Sequence, residues 1–131
     1  MTKQALDARS LVPSLTVNDL QRSIRFYTEG LGFSTKHEMK DGGKLVGIIL
    51  EGGGALLGLT QDDFAKGRDR VKGVGLRLWI ETDQDVETMA RQAKAAGLKL
   101  DTEAAPLPWG PMGFALTDPD GYKVTVSNPS Q

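Results

Sequence analysis

Few side chains in this sequence are suited to making or breaking bonds. It has no cysteine and a single histidine, His37, which removes thiolate nucleophiles, disulfide frameworks and Cys-ligated zinc from consideration. His37 stands between Lys36 and Glu38, the setting of a solvent-facing hairpin residue. Glu51 and Glu81 border turns, where a carboxylate is ordinarily just solvated, and neither is assigned a catalytic duty. No nucleophile elbow and no phosphate-cradling glycine pattern occurs, and Gly52-Gly53-Gly54 reads as a turn. What remains is chemistry of contact. Arg77 and Trp79 alternate on one side of a short apolar segment, and Trp109 sits in a Pro-Trp-Gly loop. Two indoles and a guanidinium suit stacking against a flat molecule that carries polar or negative groups. Trp79 as core filler and Arg77 as a surface ion-pair former is the plainer alternative. Trp109 has the least packing reason for its position, because it lies in a Pro-rich loop.

The elements that must position these residues follow from periodicity. Leu11 to Val17 alternates as a half-buried strand, with Leu15 and Val17 on one face and Ser14 and Thr16 on the other. Asn18 offers an N-cap, with Gln21 closing a capping box, and Leu20, Ile24, Tyr27 and Leu31 recur at helical spacing. The helix stops near Gly30 or Gly32. Phe33 to Met39, Leu45 to Leu50 and Ala55 to Thr60 read as strands, separated by the turns Asp41-Gly42-Gly43 and Gly52-Gly53-Gly54. A polar connector, 61–72, follows. The pattern then returns: Val74 to Glu81 alternates, Thr82 or Asp83 caps a helix that runs to Ala96 and is stopped by Gly97, and strands are expected at Leu98 to Glu103, Met112 to Thr117 and Lys123 to Ser127. The expected organisation is one α+β domain, 1–131, with a βαβββ unit at 10–60 and a second at 73–128. Gly32 and Gly97 lie 65 positions apart, and the turns that begin at Gly52 and Asp118 lie 66 apart, an architectural duplication. A ferredoxin-like sandwich is the competing architecture.

Composition narrows the partners. Apolar residues make up 39% and charged residues 25%, with a net charge of −1, so no basic footprint suggests nucleic acid or anionic lipid. No apolar run approaches the ~20 residues of a membrane-spanning helix. The N-terminal segment lacks the apolar stretch of a secretory signal, and a cytoplasmic location is expected.

Leu15-Thr16-Val17-Asn18-Asp19-Leu20 with Ser23, Phe26-Tyr27 and Leu31-Gly32-Phe33, followed by Trp109-Gly110, Phe114 and Asp118-Pro119-Asp120-Gly121, resembles the vicinal oxygen chelate superfamily of glyoxalases, bleomycin-resistance proteins and extradiol dioxygenases. The likeness covers nearly the whole chain. It implies two βαβββ units curled into half-barrels around a cleft, in protomers that usually pair. It also implies a divalent metal held by His and carboxylate ligands, one from each of four strands. Carried over position by position, those ligands fall on Val12, Gly58, Gly75 and Thr125, which cannot grip a transition metal. No metal or other cofactor is therefore expected.

The Pro-Trp-Gly stretch with the Asp-Pro-Asp-Gly turn is closest in pattern to bleomycin-resistance proteins, which sequester without chemistry. The resulting expectation is a homodimeric binder of a small planar or amphipathic molecule, of the antibiotic-resistance kind, using Trp109, Trp79 and Arg77, with a hydroxyl from Ser14. The rival is a metal-dependent glyoxalase-like lyase, isomerase or dioxygenase with unconventional ligands. A silent scaffold with a cleft filled by its own side chains is the third reading.

Overall fold

The computed structural model describes residues 4–130, so the ends of the 1–131 span lie outside the described residues. Strand β1 (Ser14–Val17) leads into helix α1 (Leu20–Arg25), which widens into a π-helical turn (Phe26–Gly30) before β2 (Ser34–Asp41), β3 (Lys44–Gly52) and β4 (Ala55–Gln61). The second half repeats the order with β5 (Arg77–Glu81), α2 (Val86–Ala95), β6 (Leu100–Pro106), β7 (Met112–Thr117) and β8 (Lys123–Ser127). The fold is α+β, built from two βαβββ units.

Each unit makes its own four-stranded sheet, ordered β1-β4-β3-β2 and β5-β8-β7-β6. The β1/β4 and β5/β8 pairs are parallel and the others antiparallel. Period-two alternation gives each sheet one apolar face. Leu15, Val17, Ile48, Leu50, Leu57 and Leu59 are buried from the first sheet, and Phe114, Leu116, Val124 and Val126 from the second. Both apolar faces and the helical residues Leu20, Tyr27, Val86, Ala90 and Ala93 share one core. At roughly 1.5–3 kcal/mol for each large side chain removed from water, this shared core is the main force that joins the halves.

The boundaries depart from the sequence expectation in instructive places. Asp19, not Asn18, caps α1, its carboxylate accepting the Arg22 N–H at 3.2 Å. Asn18 is already engaged: its N–H donates to Asp120 Oδ1 and its side-chain oxygen accepts from Lys72 Nζ. The cap of α2 moves to Asp85. β5 begins at Arg77 instead of Val74, because Gly73 (φ +79°) and Gly75 (φ +75°) take left-handed conformations that no strand contains.

The connector is pinned by one buried carboxylate. Asp62 accepts from Lys72 Nζ at 2.9 Å, Arg70 Nη2 at 3.3 Å and the Phe64 N–H at 2.8 Å. The Lys72 hydrogen bond and the Phe64 amide hold its carboxyl below the ordinary carboxylate value of 3.8. A folded-state pKa below the unfolded one gives stability that is present above about 3.8 and is lost as pH falls through the lowered value. Asp62→Asn should therefore flatten the acid limb of a plot of melting temperature against pH between about 5 and 2, measured beside the wild type. An unchanged acid limb would refute the assignment.

Candidate functional site

The second sheet's outward face assembles the site. Along β5, Leu78 and Ile80 turn to the core while Arg77, Trp79 and Glu81 turn away and are exposed. On β8 their register partners are Lys123, Thr125 and Ser127. Two of these hold the predicted residues in place. Arg77 Nη1 donates to Thr125 Oγ1 at 2.9 Å, and Trp79 Nε1 donates to Ser127 Oγ at 2.9 Å. Ser127 is fully buried and Thr125 is only 7% exposed, so both anchors are fixed by the sheet. Trp79 is not core filler, being 51% exposed.

Trp109 comes to Trp79 from the β6–β7 loop. The ring centroids are 5.4 Å apart at 66°, an edge-to-face pair worth about 0.5–1.5 kcal/mol beyond burial. Trp109 nonetheless remains 53% exposed, so the pair presents ring surface outward. Arg77 and Trp79 also line a cavity of about 460 Å³ together with Leu11, Pro13, Leu56, Leu76 and Glu81, a size suited to a drug-like molecule. An adjoining cleft of about 690 Å³ shares Phe33, Gly54, Ile80 and Glu81 and extends toward Met89 and Gln92, without Arg77 or either tryptophan. Ser14 stands apart. It lies on the first sheet in a row with Gly58, Ile49 and His37, and its hydroxyl lies 3.4 Å from where a β-carbon on Gly58 would sit. The structure thus brings together three of the four predicted residues. Sequence reasoning missed Ser127, whose role depends on β5/β8 register.

The two sheets superimpose by pairing. The row Ser14, Gly58, Ile49, His37 in the first matches Trp79, Thr125, Ala115, Thr102 in the second. Ser14 thus corresponds to Trp79, an offset of 65, which is also the spacing of the helix-stop glycines.

A profile of the glyoxalase/bleomycin resistance protein/dioxygenase superfamily matches residues 10–126. The chain belongs to this superfamily. A lactoylglutathione lyase of Salmonella typhimurium is 34% identical over 124 residues, 90% of each chain, and a probable lactoylglutathione lyase of Vibrio parahaemolyticus is 32% identical over 126 residues, 92% of this chain and 90% of that one. In fold the chain resembles TioX of Micromonospora, with a TM-score of 0.75 at 17% identity over 92% of this chain and 98% of the other. It also resembles TnmS3, an antibiotic binding protein of Streptomyces, with a TM-score of 0.72 at 23% identity over 97% and 100%.

The superfamily's metal does not fit these residues. The strand register corrects one of the carried-over positions: Gly75 lies before β5, and the counterpart of Val12, 65 positions on, is Arg77. The four positions therefore hold a valine, a glycine, an arginine and a threonine. A lone hydroxyl beside a guanidinium cannot coordinate a divalent cation, which needs three or four N, O or S donors. Among the described residues, no three His, Asp or Glu side chains converge elsewhere to replace them.

Proposed function

We propose that this superfamily member binds and sequesters a small planar or amphipathic molecule, in the manner of an antibiotic-resistance binder, without a metal and without turnover. The observation that carries this reading is the half-exposed Trp79–Trp109 pair, with each partner of Arg77 and Trp79 buried beneath it. Such an array offers ring faces and hydrogen-bond donors, and the carboxylate along the cavity, Glu81, lies at the far end of β5 from Arg77. The fold supports the reading in that TnmS3, which shares it, is an antibiotic binding protein. Trp109, Trp79 and Arg77 are the contact residues. Ser14 contributes where a second copy of the chain brings a first sheet over the second. Exposed Leu11 (84%) and Leu76 (41%) beside the cavity support such a homodimer. The binder is proposed to act in the cytoplasm.

Titrating tryptophan fluorescence with planar polycyclic antibiotics should give saturable quenching with a dissociation constant around 1 μM, and Trp109→Ala should weaken it about tenfold. Absence of quenching by every compound, with no effect of Trp109→Ala, would count against the binder.

A second reading is favoured by the 34% identity to a lactoylglutathione lyase: a glyoxalase-type lyase with unconventional ligands. Elemental analysis of protein purified without chelator separates the two. Stoichiometric Ni, Zn, Fe or Mn would promote the lyase, and less than a tenth of an equivalent (~0.1) is expected for the binder.

A further inference from the structure

The outward face of the second sheet is cationic at one end. Arg77 and Lys123 are direct register partners across the parallel β5/β8 pair, and like charges placed side by side on one sheet face are destabilising unless something negative answers them. Lys123 is answered within the fold: its Nζ donates to Thr117 Oγ1 at 2.9 Å and lies 4.0 Å from the Asp101 carboxylate. Arg77 is not. No described Asp or Glu comes within ion-pair distance of its guanidinium. Its hydrogen bond to Thr125 occupies one of five N–H donors, and among the described residues the guanidinium makes no other side-chain hydrogen bond, although Arg77 lines the cavity. Among the described residues the one acid along that cavity, Glu81, is four residues further along β5, roughly 13 Å away at about 3.3 Å per residue, and so marks the opposite end.

This guanidinium also occupies the β5 position where the superfamily would place a metal ligand, so the residue that excludes a divalent cation brings a permanent positive charge of its own. Arginine has the geometry for the task, since its planar fork matches the two oxygens of a carboxylate. We infer that Arg77 serves as the site's built-in cation in place of a metal, and that the molecules this cavity selects are flat aromatic anions, held with the ring against Trp79 and an acidic oxygen pair on the guanidinium. This deepens the binding reading above and rests on it. It commits to the sign of the ligand's charge, which stacking alone leaves open.

Isothermal titration with 2-naphthoate and with its neutral isostere 2-naphthamide tests it, because the two share a ring and differ in charge. The wild-type protein should bind the acid at least about tenfold more tightly than the amide. Arg77→Gln should bring the acid down to the level of the amide and leave the amide unchanged, and Arg77→Lys should fall between. Raising NaCl from about 0.05 to about 0.5 M should weaken the acid alone. Equal wild-type affinities for the two compounds, or a preference for the acid that survives Arg77→Gln, would overturn the inference while leaving the binder intact. Binding of neither compound would overturn the inference together with the reading beneath it. The salt series and Arg77→Lys keep the test decisive if Arg77→Gln proves unstable.

Discussion

Gly73→Ala is expected to destabilise the protein by about 3 kcal/mol or more, a drop of roughly 10 °C in melting temperature for a domain of this size. Two effects add. Gly73 has φ +79°, a left-handed conformation that costs an L-residue roughly 1–2 kcal/mol. A β-carbon there would also sit 2.4 Å from the carbonyl oxygen of Gly121 and 2.8 Å from the amide nitrogen of Tyr122. Both are backbone atoms of the final turn and cannot swing aside as the end of a side chain can. Gly75 is the natural control: it shares the positive φ, but a β-carbon on it meets nothing within 4 Å. Gly75→Ala should therefore cost only the conformational term, about 1 kcal/mol. Thermal and urea unfolding of both variants would measure the difference. Equal losses would mean that the Gly73–Gly121 contact contributes little. The contact matters to the site because β5, with Arg77 and Trp79, begins four residues later.

Periodicity made both βαβββ units readable, since most strands alternate apolar and polar residues and the turns carry glycines, while β2 is polar almost throughout and buries none of its residues. The outward placement of Arg77 and Trp79 followed from the same alternation that buries Leu78 and Ile80. Spacing alone could not show what those two residues touch. Thr125 and Ser127 are 48 positions from their partners, and only the β5/β8 register brings them underneath. The same limit explains the misplaced cap of α1, where Asn18 is taken by Lys72 and Asp120 from 54 and 102 residues away, competitors that no local window contains. The shift from Gly75 to Arg77 at the metal-ligand position was within reach, however. The 65-residue offset between Gly32 and Gly97, applied to Val12, lands on Arg77. Alternation also explains why Ser14 and Trp109 fared differently. Ser14 was placed on the correct face of β1, but that face belongs to the other sheet, whereas Trp109 reaches Trp79 through a loop whose course no periodicity describes.

Asp118→Ala is expected to cost about 3 kcal/mol or more, because three donors lose their acceptor at once. Asp118 is 4% exposed. One of its oxygens accepts the Tyr27 hydroxyl at 2.8 Å, and the other accepts the N–H groups of Asp120 and Tyr122, each at 2.9 Å. Tyr27 belongs to the first unit's helical segment and Asp118 to the second unit's last turn, so the bond ties the halves together inside the core. Burial pushes the Asp118 carboxyl above its ordinary range, against the lowering pull of the Tyr27, Tyr122 and Asp120 hydrogen bonds, while burial and the neighbouring Asp118 charge push the Tyr27 phenol up. A carboxyl whose folded-state pKa is raised favours folding fully below the ordinary carboxylate value, and that advantage is lost as pH rises through the raised value. Asp118→Asn isolates this contribution. The amide keeps an oxygen for the two backbone donors and can donate to the Tyr27 oxygen once the phenolic hydrogen turns away, so at pH 7 it should cost less than Asp118→Ala. Lowering the pH from about 7 toward 4 should then stabilise the wild type relative to Asp118→Asn. That slope is opposite in sign to the one carried by Asp62, and taking the difference between the two proteins cancels the Asp62 contribution. Urea titrations of the three proteins across that range would measure it. A wild type that loses ground to Asp118→Asn on acidification would show that the hydrogen bonds outweigh burial at this carboxylate.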